Sequence, residues 1–296
     1  MPKGLAPAGR HTIPRRSMFG VIAGACMLFA SRSRAEPVRN LSIGLTPVFL
    51  NNDLELLGAL KSYLEEATDS SVQLVLKRTY EEITTLLVTG QLDAAWICGY
   101  PFVSFRDKLE LLAVPLWRGK PLYQSYIIVG ADSTAASVSD LRGGVHAFSD
   151  PNSNSGYLVT AALLAEQKLR PDSYFGRTFF TYGHRNVVRA VASGLAESGS
   201  VDGYVWEVMA LVEPEITRPS RVLRKSEWLG FPPVATARNG LHRPEIQALQ
   251  DAFLTMPSQD AGQRVLQFLH LDGFAKTPPE VFDTIAAKVD LVRNLG

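Results

Sequence analysis

The amino-acid sequence predicts an α/β protein built as two similar lobes, each a mainly parallel sheet flanked by helices. Short apolar segments alternate with amphipathic ones along the chain, which is typical of strands joined by helical crossovers. The second observation is an internal repeat. A helix, a glycine, an aspartate and an apolar strand recur in the same order in 86–96 and 190–206. The chain of 296 residues, 46% hydrophobic and 20% charged, is long enough for one large or two medium cores.

The first 35 residues predict a secretory signal peptide. Arg15 and Arg16 precede an uncharged apolar run over 18–30, and Ser33-Arg34-Ala35 supplies a small-x-small cleavage site. The run is shorter than the ~20 residues of a membrane-spanning helix, so we expect export to the periplasm, with attachment of a lipid at Cys26 as the alternative. The paired arginines also resemble a twin-arginine signal, and the sequence leaves this route and the general secretory route open.

Charge is distributed unevenly between this segment and the rest of the chain. The sequence has 30 basic and 29 acidic residues, but the predicted signal holds basic residues only. The remainder is therefore mildly acidic, which argues against nucleic acid as a partner because binding to phosphate backbones needs clustered Lys and Arg. Cleavage would also remove one of the two cysteines and leave Cys98 without a disulfide partner.

The first lobe is predicted from a regular series of elements. Strands are expected at 41–45, 72–76 and 92–97, and helices at 53–66 and 80–89. Gly90 follows the second helix, where a left-handed C-cap residue is expected. The last strand is apolar almost throughout, which is typical of a parallel sheet covered on both faces.

The same pattern restarts in the second half of the chain. Strands are expected at 126–129, 145–148, 178–181 and 201–205, a short turn at 138–144, and helices at 155–169 and 186–192. A strand at 234–237 is predicted to return to the first lobe, and the remainder is mostly helical. We therefore expect a first lobe of residues 36–129 and 234–296 and a second lobe of residues 130–233.

The segment around the strand at 145–148 carries a specific motif. From Asp140 to Leu158 it reads D-L-R-G-G-V-H-A-F-S-D-P-N-S-N-S-G-Y-L, and it is similar to the motif of the periplasmic phosphate-, phosphite- and phosphonate-binding proteins, the PhnD-like family. Tyr182-Gly-His184 resembles the family's G-x-H helix start, and the strand with Asp202 resembles its second-lobe strand. The likeness runs from about Leu41 to Ala237.

The resemblance implies a type II periplasmic-binding-protein fold, with two hinge crossovers near 129–131 and 230–234. It also implies that the lobes close on a phosphate-, phosphite- or phosphonate-like oxyanion and deliver it to an ABC permease. Signalling to a membrane sensor kinase is the alternative role. We expect a monomer that needs no cofactor.

Ser153, Asn154 and Ser155 are the central candidates for binding the anion. They stand between a strand end and a helix start, where free N–H groups and the helix dipole favour negative charge. A plain helix cap is the alternative. Asn154 stands where phosphonate-binding members often have Thr, so the sequence does not fix the oxyanion.

Further candidates follow other strand ends, where α/β lobes bind their ligands. They are Thr46, Pro47, Tyr100, Tyr123, Ser125 and Tyr204, together with His184 at a helix start. For the tyrosines, packing between the lobes is the alternative to a hydrogen bond with the ligand. For His184 the alternative is helix capping.

Cys98 follows the strand at 92–97 and supports a second hypothesis. The chain resembles the arsenite-binding periplasmic sensors of this superfamily, which use a cysteine in the cleft. Trivalent arsenic is neutral and thiophilic, so an accessible thiolate could hold it, whereas a buried, inert cysteine is the alternative.

The five histidines show no metal-binding spacing, and hydrolase, metalloprotease and P-loop motifs are absent from the sequence. We therefore expect no metal site and no enzymatic activity, with an enzyme that uses the same cleft as the remaining alternative.

Overall fold

The structure is a computed structural model that describes residues 40–46 and 54–295. Contacts divide the chain into two units, Met1–Pro37 and Val38–Gly296, and every described residue lies in the second unit. The predicted signal over 1–35 and the candidate Pro47 therefore lie outside the described residues. Within the described part, no helix combines the length and the apolarity needed to cross a membrane.

Strands of the described part form two large sheets and a two-stranded ribbon. The strands are β1 (Asn40–Leu45), β2 (Ser71–Leu76), β3 (Ala94–Trp96), β4 (Leu109–Leu116), β5 (Leu122–Tyr123), β6 (Ser125–Gly130), β7 (Val145–Phe148), β8 (Arg177–Phe180), β9 (Ser198–Asp202), β10 (Ser220–Lys225), β11 (Leu229–Gly230), β12 (Val234–Ala237) and β13 (Gly273–Ala275). The helices are α1 (Leu54–Thr68), α2 (Tyr80–Val88), α3 (Gly99–Ser104), α4 (Val159–Ala165), α5 (Pro171–Tyr174), α6 (His184–Ala192), α7 (Gly203–Val212), α8 (Pro214–Thr217), α9 (Pro244–Thr255), α10 (Asp260–Leu269) and α11 (Asp283–Arg293). A π-helical turn over Asn154–Leu158, here called the π-turn, leads directly into α4.

The two large sheets have a similar strand arrangement, which corresponds to the internal repeat in the sequence. The first has the order β13-β4-β12-β3-β1-β2 and the second the order β10-β6-β9-β7-β8. The strands β2-β1-β3 and β8-β7-β9 are parallel within each set. The next strand in each sheet, β12 or β6, is antiparallel to its neighbours. The expectation of mainly parallel sheets is therefore wrong for these strands, because each enters its sheet by crossing from the other half of the chain and not through a helical crossover.

The chain crosses between the sheets twice, and the two crossings are paired. β5 and β11 form the antiparallel ribbon there, with Tyr123 opposite Leu229. β6 pairs with β9 and β10 in the second sheet, so the first crossing lies before Ser125 and not near 129–131 as expected. The apolar sequence of β6 is compatible with a buried strand in either sheet. Its composition alone therefore does not show to which sheet it belongs. The second crossing lies between β11 and β12.

The boundaries of α2 follow from local chemistry. The Thr79 hydroxyl accepts the N–H of Glu82 at 3.2 Å, and the Glu82 carboxylate accepts the N–H of Thr79 at 3.1 Å, which makes a capping box. At the other end Gly90 has a φ of 72°, the left-handed conformation predicted from the sequence.

Two differences from the sequence prediction concern strands of the large sheets. β4 is absent from that prediction, although it lies inside the first sheet between β12 and β13. The strand expected at 201–205 ends at Asp202, and α7 begins at Gly203. Val201 and Val205 are both buried, so the apolar run does not show where the strand gives way to the helix.

The C-terminal helix α11 contacts both halves of the molecule. It packs against α3 on the side of the first sheet and against α4 and the π-turn on the side of the second. Arg106 pairs with Asp283 at 2.8 Å, and Lys288 forms an ion pair with Glu227. The helix therefore contacts elements of both predicted lobes, although 234–296 is expected to belong to the first.

Candidate functional site

The π-turn is held by hydrogen bonds from Ser153, the residue that precedes it. The Ser153 hydroxyl accepts the N–H of Gly156 at 3.0 Å, and the Ser153 carbonyl accepts the N–H of Leu158 at 3.0 Å. A Cβ atom added at Gly156 would lie 1.8 Å from Ser149 Oγ, so only glycine fits at this position. π-Helical turns of this kind are often found at functional sites.

Cys98 lies directly across from the first residue of the π-turn. Its Sγ accepts the backbone N–H of Asn154 at 3.1 Å, and the side chain is only 2% exposed. The prediction that the amides of this turn are free is therefore wrong for Asn154, because a thiol from the first half of the chain occupies that donor. Ser155 N–H also belongs to the first turn, where the helix itself offers no acceptor.

Three polar side-chain atoms at the π-turn are buried without a hydrogen-bond partner among the described residues. They are Ser149 Oγ, Asn154 Oδ1 and Ser155 Oγ. The other end of the Asn154 amide, Nδ2, donates to the Tyr123 hydroxyl at 2.9 Å. A buried polar atom without a partner lowers the free energy of unfolding by about 1–3 kcal/mol. Three such atoms near one another are typical of a site that binds a polar ligand.

His184 and Tyr80 form a second contact between the two halves. His184 Nδ1 accepts the backbone N–H of Asp202 at 3.1 Å, so the ring proton is on Nε2 and points to the Tyr80 hydroxyl at 3.2 Å. Burial lowers the pKa of His184 to about 3, which makes the ring neutral. His184 is therefore a neutral donor that orients Tyr80, and it brings no positive charge to the site.

Two buried carboxyl groups lie beside these residues. Asp202 caps α7 by accepting the N–H of Val205 at 3.2 Å, and burial raises the pKa of its carboxyl to about 7. Asp150 accepts the N–H of Tyr80 at 3.2 Å, and burial raises its pKa as well. The charges of both carboxylates act on the Cys98 thiol, whose pKa rises to about 11, chiefly through burial, although the N–H groups of Asn154 and Tyr100 act against the rise.

These side chains form one site between the two sheets, here called the cleft cluster. Its members are Tyr80, Cys98, Tyr123, Ser149, Asp150, Ser153, Asn154, Ser155, His184 and Asp202. None of them is Lys or Arg, so the cluster can hold an anion only through N–H and O–H donors. Within the described residues, no group of three or more His, Cys, Asp or Glu side chains could hold a metal ion.

The remaining predicted residues lie in or near the site in different ways. The Ser125 hydroxyl donates to the Ser155 carbonyl at 2.6 Å and so supports the π-turn from behind. The Thr46 hydroxyl is buried and donates to the Trp96 carbonyl at 3.1 Å, which leaves it no free proton for a ligand. Tyr100 is partly exposed on α3.

Tyr204 requires a correction. It lies in α7 and not in a strand, and its hydroxyl donates to the Leu269 carbonyl at the end of α10. Its ring packs against Trp117 and Phe231, with centroids 5.9 and 5.2 Å apart. The Tyr204 ring therefore packs between the two halves, and its hydroxyl is bound to Leu269 and not to a member of the cleft cluster.

Sequence reasoning missed four members of the cluster. Tyr80 stands just after β2, so the strand-end argument that selects Tyr100 would also have selected it. Ser149 and Asp150 lie inside the motif at 140–158, and Asp202 marks the cap of α7. Composition does not single them out because isolated carboxylates and hydroxyls usually face solvent.

The chain matches a known family over most of its length. The family model described as "ABC transporter, phosphonate, periplasmic substrate-binding protein" matches residues 43–282. The phosphate-import protein PhnD of Mycolicibacterium smegmatis is 27% identical over 172 residues, which cover 54% of this chain and 54% of that protein. The chain thus spans about half the length of this curated relative.

Solved structures show the same fold. A binding protein component of an ABC phosphonate transporter from Pseudomonas aeruginosa matches with a TM-score of 0.79 and 21% identity, covering 88% of each chain. PhnD1 from Prochlorococcus marinus MIT 9301, in complex with methylphosphonate, matches with a TM-score of 0.76 and 18% identity, covering 87% of this chain and 98% of that one. The fold is that of type II periplasmic binding proteins, and the chain belongs to the family of periplasmic substrate-binding proteins of phosphonate ABC transporters.

Proposed function

We propose that this protein captures a small phosphate-, phosphite- or phosphonate-like oxyanion in the periplasm and delivers it to an ABC permease. The observation that carries the proposal is the buried Ser155 hydroxyl, which has no partner among the described residues and lies at the start of the π-turn. Family membership supports the same ligand class, as do the mycobacterial relative named for phosphate import and the Prochlorococcus protein in complex with methylphosphonate.

In this proposal the ligand oxygens take their hydrogen bonds from the π-turn. Ser155 supplies its hydroxyl and backbone N–H, and Asn154 supplies its backbone N–H after Cys98 gives way. The Tyr80 and Tyr123 hydroxyls form the wall on the other side, and His184 keeps Tyr80 in position. The dipole of the helix formed by the π-turn and α4 favours the negative charge without any cationic side chain.

Opening and closing of the cleft would occur about the paired crossings. The ribbon of β5 and β11 is short and lies between the two sheets, which is where a hinge needs its few deformable residues. We propose that the protein is exported through its N-terminal signal and acts as a monomer. Release of the ligand to a permease is the favoured outcome, and signalling to a sensor kinase is the alternative.

Calorimetric titration with phosphate, phosphite, methylphosphonate, sulfate, arsenate and arsenite tests the proposal. We expect saturable binding of at least one phosphorus oxyanion without its conversion, and a loss of about tenfold or more in affinity in Ser155→Ala. Ser139→Ala, on an exposed turn, is the matched control and should bind as the wild-type protein does. Equal affinity in Ser155→Ala and the wild type would contradict the proposed site, and turnover of a bound ligand would favour an enzyme instead.

Arsenite is a second candidate ligand, favoured by one observation. Cys98 Sγ is a member of the cleft cluster, accepts the N–H of Asn154 and is acted on by the charges of Asp150 and Asp202. Its thiol would form one S–As bond with As(OH)₃ and release one water, the thiol proton leaving with a hydroxyl group. The raised pKa of the thiol works against this reaction because the thiolate is the reactive form.

The two candidates predict opposite results in a thermal-shift experiment. For the arsenite sensor, arsenite raises the melting temperature, Cys98→Ser abolishes the shift, and phosphonates have no effect. For the oxyanion carrier, a phosphorus oxyanion raises the melting temperature of both the wild-type protein and Cys98→Ser.

A further inference from the structure

We propose that the Cys98 thiol is an internal substitute for one oxygen of the ligand, and that it thereby lowers the affinity of the site for oxyanions. The inference rests on the proposed function and names a residue that sets the binding strength within it. In the absence of a ligand the cleft would close on its own sulfur, and any oxyanion must displace that sulfur before it can use the full set of donors at the π-turn.

The geometry places sulfur where a ligand oxygen is expected. Asn154 N–H lies in the first turn of a continuous helix made of the π-turn and α4, so no carbonyl of that helix can accept it. Sγ accepts it at 3.1 Å from the opposite side of the cleft. A thiol sulfur is a weak acceptor, so it satisfies the amide while remaining easier to displace than a carbonyl or carboxylate would be.

The neighbouring polar atoms point to a ligand beside the sulfur. Ser155 is 1% exposed and its Oγ has no hydrogen-bond partner among the described residues, and Asn154 Oδ1 is likewise buried without one. The Tyr123 hydroxyl, which accepts Asn154 Nδ2, completes this side of the cleft. The sulfur thus covers one donor of a group whose other members are left without partners.

The thiol has little room to move away while the cleft is closed. A Cβ atom added at the next residue, Gly99, would lie 2.7 Å from Ile285 Cδ1 on α11. The backbone at the start of α3 therefore packs closely against the C-terminal helix, which leaves it little space to shift back from the π-turn. Rotation of the Cys98 side chain, or partial opening of the cleft, is the remaining way to expose Asn154 N–H.

Two substitutions at Cys98 separate its role as an acceptor from its bulk. Cys98→Ala removes the acceptor and frees Asn154 N–H for a ligand oxygen, so the affinity for methylphosphonate or phosphite should rise about tenfold. Cys98→Ser keeps an acceptor on the same carbon and is the matched control. Its affinity should stay at or below the wild-type value.

The experiment is calorimetric titration of the full chain and both variants with methylphosphonate and with phosphite. Tighter binding by Cys98→Ala alone supports the inference. Measurable wild-type binding that is unchanged or weaker in Cys98→Ala overturns this inference and leaves the proposed function intact, whereas absence of binding in all three proteins overturns both. If Cys98→Ala does not fold, the chemical shift of the Asn154 amide proton in the wild-type protein tests the inference instead. It should move downfield in the NMR spectrum at saturating methylphosphonate, and an unmoved signal on binding refutes the displacement.

Discussion

At the residue scale, burial changes what ordinary side chains can do in the cleft. His184 is neutral because its pKa is lowered to about 3, and Asp202 holds a proton up to about pH 7. A site inferred from residue types alone would have one positive histidine and one negative aspartate. In the folded protein the first is a neutral donor, and the second is half protonated near neutral pH.

Asp202 provides a test of this protonation through the pH dependence of stability. Its folded pKa of about 7 lies above the ordinary value of 3.8, so the folded protein holds one extra proton between these limits. The contribution of Asp202 to stability is therefore complete below about pH 3.8 and is lost as the pH rises towards 7. His146 and His184, both with pKa values lowered to about 3, act in the opposite direction and destabilise the fold as the pH falls below 6.5.

We expect Asp202→Asn to lose stability more steeply than the wild type as the pH falls from about 6.5 to about 5. The difference in slope should approach about 1.4 kcal/mol per pH unit, the value for one proton. Urea unfolding at a series of pH values measures it, and Asp107→Asn on the exposed surface is the control. Parallel curves for Asp202→Asn and the wild type would show that Asp202 is already ionised in the folded protein over this pH range.

At the scale of single elements, the π-turn depends on one glycine. Gly156 lies against Ser149, with 1.8 Å between the serine oxygen and the position that a Cβ atom would take. Gly58, on the exposed face of α1, has no atom within 4 Å of the equivalent position. We therefore expect replacement by alanine to have opposite effects on stability at the two glycines.

Gly156→Ala should destabilise the protein by about 1–3 kcal/mol and weaken ligand binding, because the turn or Ser149 must shift to make room. Gly58→Ala should stabilise it by up to about 1 kcal/mol, since alanine is the better helix former. Denaturant unfolding of both variants, followed by titration with the oxyanions, measures the contrast. A stable Gly156→Ala variant with unchanged binding would rule out the packing described for the π-turn.

Elements with a local signal are predictable from the sequence. The Thr79–Glu82 capping box and Gly90 delimit α2, and the motif at 140–158 indicates the π-turn region. β4 and the start of α7 are not predictable in the same way, because a buried apolar run is compatible with either a strand or a helix. The partner of the Asn154 amide is also hidden, since Cys98 is 56 residues away along the chain.

At the scale of the whole molecule, hydrogen bonds between specific pairs join the two halves. Tyr80 contacts Asp150 and His184, and Cys98 contacts Asn154. Tyr204 on α7 donates to the Leu269 carbonyl on α10, away from the cleft cluster. This last contact can be altered without changing the proposed binding residues.

Tyr204→Phe should therefore favour the open form of the ligand-free protein. The substitution removes one hydrogen bond of about 1 kcal/mol between the halves and keeps the aromatic packing on Trp117 and Phe231. Small-angle scattering should show a larger radius of gyration than for the wild type, and saturating ligand should restore the compact value. Tyr182→Phe, at a tyrosine that is 43% exposed, is the control. Identical radii for Tyr204→Phe and the wild type would show that this contact does not hold the halves together.

The position of β12 has a consequence for how the chain acquires its structure. β12 lies between β3 and β4 in the first sheet, although more than a hundred residues separate it from either strand along the chain. While the protein is being synthesised, β3 and β4 lack this shared neighbour until Val234–Ala237 has left the ribosome. The first sheet is consequently completed only near the end of translation, and a fragment that stops before Val234 would leave one edge of β3 and both edges of β4 unpaired and be prone to aggregate.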